Sequence, residues 1–368
     1  MRILLTSNAS YSPPRGGSTR SNLAWLRGLA ERGHSCRVIC AATGEDSECN
    51  RDGVEIHSVK NLVQRRSLLS AAISDFQPDF VLVSSEDLSH MLLREAAATA
   101  ADRLVYLAHT PQFFPFGGES WNADARAAGI VRGARAIVAI SRTMADYIGQ
   151  SIEVRPVLIH PPIYGSPPFA QFDNFGRGAV LMINPCAVKG IDIFLELACR
   201  YPAFPFAALR GWGTTSADSE ALARLANVRF VESVDQIEDL LSETRVLLTP
   251  SLWYEGFGLI AMEAMLRGIP VISSDAGGLR EALDGSGFVI PVRRIEKYLR
   301  EFDEVHMPKP VIPEQNMEPW TLALDSLLHD QAVYEPESER CRAAALRFVS
   351  SLDASAFEKL LLSLAAKI

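Results

Sequence analysis

This chain lacks paired cysteines. Its six cysteines, at 36, 40, 49, 186, 199 and 341, include no Cys-x-x-Cys, no interleaved histidine and none of the density of a disulfide framework. That pattern argues against a structural zinc site, a dithiol redox centre and a stapled secreted scaffold, and reduced thiols are expected. Also missing is any apolar run near the ~18 residues that a membrane helix needs. Met1 to Thr6 reads as a short apolar strand, without the longer hydrophobic region and small-residue cleavage site of a signal peptide. A cytoplasmic location is the expectation.

Positive charge is also in short supply. Against 44 acidic side chains stand 36 basic ones, a net of −8, so no nucleic-acid partner is expected. Residues 1–165 hold 17 basic and 16 acidic side chains and the remainder 19 and 28, which leaves room for a basic face only on the first part. No Asp-x-Asp follows a strand, and no Gly-x-Gly-x-x-Gly opens either half. The histidines at 34, 57, 90, 160, 306 and 329 have no partner pattern. Neither a metal site nor a cofactor is expected, and a dinucleotide-dependent oxidoreductase is disfavoured.

What the chain does have is alternation. With 368 residues, 48% apolar and 22% charged, it is long enough for two globular domains. Short β-branched runs alternate with helical patterns, which predicts parallel sheets covered by helices. In a first series, strands are expected at 3–6, 36–40, 80–83, 104–107 and 136–139, with Ser141 capping the next helix. In a second, they are expected at 179–183, 206–209, 228–231, 246–249, 271–273 and 288–290. Between the series, Pro161–Pro168 is rich in proline and breaks both periodicities, as a linker does. After an irregular Pro-rich stretch near 307–319, two helical patterns close the chain, the last running from Phe348 to Leu364.

The most informative segment is Val246–Glu281, which reads as strand, loop, helix, strand, loop. Gly256 and Gly258 allow backbone amides to approach a ligand, and the helix that follows points its positive end at the same place. The segment therefore reads as an anion site built from backbone. Glu255 precedes that helix and Glu263 lies within it, two carboxylates suited to hydroxyls. Gly268 and Pro270 end the helix, and Gly277-Gly278 forms a second flexible loop.

This segment resembles the retaining glycosyltransferases of the GT-B fold, in particular the large family 4, whose motif is two glutamates separated by seven residues; Glu255 and Glu263 match that spacing. Gly16-Gly17 matches the family's amino-terminal glycine loop, and Arg32 to Val38 the end of its first helix and its second strand. The resemblance implies two Rossmann-like doubly wound domains facing a cleft. Residues 1–165 would bind the acceptor, residues 166–340 the nucleotide-sugar donor, and residues 341–368 would form a helix crossing back to the first domain. It implies that Glu255 bonds the transferred sugar, that Gly256, Phe257, Gly258 and Leu259 present amides to sugar and diphosphate, and that Glu263 holds the ribose. Transfer would retain configuration and need no metal, with a UDP-sugar the first donor expected and GDP- or dTDP-sugars next.

Lys189-Gly190 resembles the family's diphosphate-binding Lys-Gly, where a cation offsets charge developing on the leaving group. Most relatives carry an arginine five residues earlier, where this chain has Asn184; Arg210 is a candidate substitute, and a salt-bridged surface arginine is the alternative. His109, at the carboxyl end of its strand, opens the aromatic loop 110–121 and is placed to line a cleft; in the family a histidine here bonds donor sugar or phosphate. Tyr11, Arg15, Arg20 and that loop are acceptor candidates, for a small-molecule, lipid or polysaccharide acceptor, its aromatics hinting at a ring or apolar one. Lys60, Arg65 and Arg66, beside Leu62, Val63, Leu68 and Leu69, would set one helix weakly against an anionic membrane, or else form a solvated face. Two competing readings are a nucleotide-sugar epimerase of the same architecture, whose relatives lack the glutamate spacing, and a non-catalytic sugar-nucleotide-binding protein.

Overall fold

The structure is a computed structural model that describes residues 1–14, 16–234 and 236–366. The chain divides into two compact units, Met1–Gly165 with Leu352–Ile368, and Ser166–Ser351.

The first unit is built on strands β1 (Arg2–Thr6), β2 (Ser35–Ala41), β3 (Ser47–Arg51), β4 (Val54–Val59), β5 (Phe80–Ser84), β6 (Leu104–Ala108), β7 (Ala136–Ala139) and β8 (Val157–Leu158). They lie in the order β3-β4-β2-β1-β5-β6-β7-β8. All pairs are parallel except the β3–β4 hairpin. Helices α1 (Gly17–Glu31), α2 (Leu62–Phe76), α3 (Met91–Ala100), α4 (Ala125–Arg132) and α5 (Arg142–Ile152) join the strands. Because crossover helices cover a parallel sheet on both faces, its central strands are apolar throughout and not alternating; Ile3 to Leu5, Phe80 to Val83 and Leu104 to Ala108 are all buried, whereas β4 near the edge alternates. Ser141 caps α5 as expected, its hydroxyl accepting from the Met144 amide at 3.0 Å.

The second unit contains β9 (Ala179–Ile183), β10 (Phe206–Leu209), β11 (Val228–Val231), β12 (Thr244–Thr249), β13 (Val271–Ser274) and β14 (Phe288–Ile290). These form one parallel sheet, ordered β11-β10-β9-β12-β13-β14. Its helices are α6 (Ile191–Arg200), α7 (Ser216–Ala223), α8 (Ile237–Leu241), α9 (Leu259–Leu266), α10 (Leu279–Leu283), α11 (Glu318–His329) and α12 (Gln331–Ser350). In the stretch leading to α11, β15 (Tyr298–Phe302) and β16 (Pro308–Pro310) pair antiparallel as a separate ribbon.

The closing pattern is not one helix. Helix α12 buries Cys341, Ala344 and Ala345 and belongs to the second unit, so the chain returns at Leu352 and not at 341. The break is stabilised by Asp353, whose carboxylate accepts from the Ser355 amide at 2.9 Å and from Lys359 at 2.7 Å. Helix α13 (Ala356–Ala365) then packs on the first unit. Phe357 stacks on Trp25 at 4.9 Å, and Glu358 bonds both Arg32, at 2.7 Å, and His34, at 2.8 Å.

The basic patch on α2 is also not what the sequence suggests. Arg65 is buried, donating to the Val59 and Lys60 carbonyls and to Asn8, because these acceptors lie beneath the first turn of the helix. Leu69 is buried too, and Arg66 pairs with Glu95 at 3.4 Å, while Lys60, Val63 and Arg66 stay exposed. No helix among the described residues is long and apolar enough to cross a membrane.

Candidate active site

In the second sheet the order reverses between β9 and β12: β10 and β11 lie to one side, β13 and β14 to the other. Loops leaving the carboxyl ends of strands at such a switch point diverge and leave a crevice. Lys189 follows β9, and the segment Pro250–Gly258 follows β12. The two loops abut so closely that a Cβ on Gly190, whose φ is +79°, would lie 2.1 Å from the Pro250 carbonyl oxygen. The Leu252 amide donates to the Val188 carbonyl at 2.9 Å across the same junction.

That junction brings Lys189 and Glu255 into an ion pair. The same carboxylate oxygen accepts from the Ser251 hydroxyl and from the Trp253 indole N–H at 3.0 Å. The Lys189 ammonium lies 4.7 Å from the centre of the Trp253 ring, so its charge also faces a π surface. Burial acts to raise the Glu255 carboxyl, but the Lys189 charge and the three hydrogen bonds outweigh it and hold the group below its ordinary value. The result is a fixed pair of opposite charges.

Gly277-Gly278, after β13, is rigid packing and not a flexible loop. A Cβ on Gly277 would meet the Glu255 carbonyl at 2.2 Å, and one on Gly278 the Gly256 carbonyl at 2.6 Å. The Gly278 amide donates to the Glu255 carbonyl at 2.9 Å. Only glycines allow these backbones to touch. Gly258 and Leu259 open α9, and Glu263 within it is buried, so it is no surface residue. Phe257 turns inward and stacks on Phe348 at 5.2 Å; its side chain is core. Arg210 is committed elsewhere, to Glu232 at 2.5 Å, Ser219 at 3.0 Å and the Phe230 ring at 5.2 Å. Asn184, in a left-handed conformation, accepts from the Gly213 amide at 2.8 Å and braces the loop after β10.

The remaining candidates lie on the first unit, whose sheet reverses between β1 and β5. Gly16, with φ +89°, caps α1, and Gly17 is its first residue. His109 follows β6 and is 3% exposed; burial pushes its imidazole below the ordinary value, partly opposed by Glu86. Its Nε2 lies 2.8 Å from the Asn22 side-chain oxygen. Tyr11 is wholly buried, its hydroxyl accepting from Asn22 at 2.7 Å, so it cannot be a surface acceptor contact. Arg20 is half-buried on α1, and Arg15 lies outside the described residues. The rings of loop 110–121 mainly pack on the protein: Phe114 is buried against Tyr106 and Phe116, and Phe113 meets Trp121 edge-on at 5.5 Å. Their number therefore gives no indication of an aromatic acceptor.

Sequence reading missed Ser251 and Trp253, though both lie in the motif segment, and it missed Asn22. The signal for Asn22 was there: it precedes Leu26 and Leu29 by four and seven residues, a polar side chain on the core face of an amphipathic helix.

Residues 15–164 match the profile described as Glycosyltransferase Family 4, and residues 179–306 the one described as Glycosyl transferases group 1. The lipopolysaccharide core biosynthesis mannosyltransferase LpsB of Rhizobium meliloti is 33% identical over 109 residues, 26% of this chain and 31% of that protein. D-inositol 3-phosphate glycosyltransferase of Streptomyces bingchenggensis is 42% identical over 69 residues, 18% and 15% of the two chains. The matched segments thus span less than a third of these relatives. Likeness to solved structures extends over the whole chain. Sucrose-phosphate synthase from Thermosynechococcus elongatus superposes with a TM-score of 0.76 at 16% identity, covering 100% of both chains. Anabaena HepE in complex with UDP and glucose does so with 0.70 at 17%, again covering 100% of both. At such identities the likeness is one of fold. With the two profiles falling in turn on the two Rossmann-like units, the chain belongs to the family 4, group 1 glycosyltransferases and has their GT-B fold.

Proposed function

We propose that this protein transfers a sugar from a nucleotide-diphosphate sugar to an acceptor hydroxyl, with retention of configuration and no resident metal. The observation that carries the reading is the Lys189–Glu255 pair, held by Ser251 and Trp253 at the mouth of the Gly256–Gly258 loop. Lys189 supplies positive charge where the leaving diphosphate gathers negative charge, assisted by the amino end of α9. Glu255 accepts from sugar hydroxyls, and buried Glu263 takes the ribose diol. The acceptor oxygen bonds to the anomeric carbon as the bond from that carbon to the diphosphate breaks. The electron pair leaves with the nucleoside diphosphate, whose phosphate oxygen takes the acceptor proton on the same face. UDP-sugars are the first donors to try, since UDP occupies a matched Anabaena structure.

Thermal shift against UDP-, GDP-, dTDP- and ADP-sugars, followed by assay of nucleoside diphosphate release, tests this. One nucleotide class should stabilise the protein and be turned over, with both effects lost in Glu263→Ala. No shift and no release with any donor would leave a family member without the activity.

A further inference from the structure

The hydrogen bonds around His109 can be assigned a direction from one end. Glu86, just beyond β5, accepts from the Ser84 hydroxyl, because a carboxylate offers no proton of its own. Ser84 has then spent its only hydrogen, and at its 2.9 Å contact with Asn22 it can only accept. The nitrogen of the Asn22 amide must therefore face Ser84, and its second hydrogen goes to the Tyr11 oxygen at 2.7 Å. This leaves the amide oxygen for His109, 2.8 Å from Nε2. An amide oxygen only accepts, so Nε2 carries the hydrogen. Were the amide turned round, its oxygen and the Ser84 oxygen would meet as two acceptors with no hydrogen between them, which burial makes costly. At the other side of the ring, Nδ1 is buried and has no partner among the described residues.

We infer that Asn22 is a positioning residue which, oriented by Glu86 through Ser84, holds His109 as the Nε2–H tautomer, so that its Nδ1 lone pair accepts a hydroxyl and turns away an anionic oxygen. This rests on the proposed transfer reaction for its hydroxyl, a sugar's, but the tautomer itself does not. An anion offers no hydrogen to a bare ring nitrogen, so His109 selects for the carbohydrate part of a nucleotide sugar and not its diphosphate. The groups acting on the ring are Glu86 beyond β5, Asn22 on α1 at Nε2 and Trp25 on α1, the indole 6.1 Å away, while the Tyr11 phenol beyond β1 bonds the same Asn22 amide. Among the described residues Glu86 is thus the charge that acts on it, through two neutral intermediaries.

The test is nitrogen-15 correlation spectroscopy of the histidine rings in the intact protein, with His109 assigned by its loss in His109→Gln. Wild type at pH 7.5 should show a protonated Nε2 and a bare Nδ1. An Nδ1–H tautomer, or an imidazolium, would overturn the inference. Asn22→Asp places a carboxylate against Nε2 and should make the ring an imidazolium. With UDP-glucose as probe, it should move the acid limb of nucleoside diphosphate release upward by about 1 pH unit, with Asn22→Gln closer to wild type. An unshifted limb in a folded, active Asn22→Asp would remove the positioning role. Absence of release from the wild-type protein would instead count against the transfer reaction and leave the ring spectrum standing on its own.

Discussion

The two units carry their candidate residues by opposite means. In the second, full charges meet: the ammonium of Lys189 and the carboxylate of Glu255 share one junction, and two neutral donors fix the acid in place. In the first, a neutral imidazole is held by an amide that a hydroxyl and a phenol orient in turn, and the Glu86 carboxylate stands three hydrogen bonds away. The first arrangement suits discrimination between ligand atoms, since geometry and donor count decide what fits. The second suits charge that appears during reaction, since a preorganised cation needs no rearrangement when the leaving group departs.

Removing the cation should produce the largest change. Lys189→Ala is expected to lower nucleoside diphosphate release by at least about 10²-fold and, by leaving the Glu255 carboxylate unpaired, to cost about 3 kcal/mol in denaturant unfolding. Glu255→Gln should impair release comparably at a smaller loss of stability. Wild-type release in both variants would move the chemistry away from this pair.

Phe357→Ala removes a buried ring that stacks on Trp25, and should cost about 3–5 kcal/mol. The effect should stay in the first unit: hydrogen exchange should quicken in α1 and leave α9 and α10 protected. Equal loosening of both units would show that the two sites are not energetically separate.

Acid should also distinguish the units. His90 and His109 are both buried, and burial lowers both imidazoles. Above the ordinary imidazole value of about 6.5 neither the folded nor the unfolded ring binds a proton, and the stability is fully present. As pH falls below that value the unfolded rings take protons before the folded ones do, so stability should fall. His109→Gln should flatten part of that slope in a pH series of unfolding curves.

The smallest effect is expected at Arg210. Its pair with Glu232 is partly exposed, and Arg210→Ala should cost under about 1 kcal/mol with donor binding unchanged. A clear loss of donor binding would mean that Arg210 swings from Glu232 to supply the cation absent at Asn184.

The fold was legible wherever a strand is buried on both faces. The strands at 136–139, 179–183 and 206–209 coincide with the expected residues, because covered parallel strands leave a dense apolar run; the half-buried edge strands at 228–231 and 288–290 coincide as well, on shorter apolar runs. The β3–β4 hairpin was missed because β3, Ser47–Arg51, is a polar edge strand with no apolar face to detect. Its turn was nevertheless written in Asp52-Gly53, both at positive φ, a pair that favours tight hairpins. In the site, Glu255, Glu263 and Lys189 were singled out because each sits in a local motif that resembles the family's, although the contact between Lys189 and Glu255, 66 residues apart, was not. Asn22 could not be tied to His109 that way, because 87 residues separate them and only the neighbouring strands β1, β5 and β6 bring them together. Arg65 misled for a related reason: periodicity sets it on a helix face but says nothing of the carbonyls underneath.

The return of the chain at Leu352 also has a bearing on synthesis. The whole of Ser166–Ser351 is inserted, in topological terms, within the other unit, whose last helix supplies Phe357 to Trp25 and Glu358 to Arg32 and His34. A ribosome therefore finishes the inserted unit before it has made the segment that completes the surrounding one. Since domains fold as they emerge, the unit begun first is the one finished last, and His109, packed near Trp25, attains its final surroundings only then.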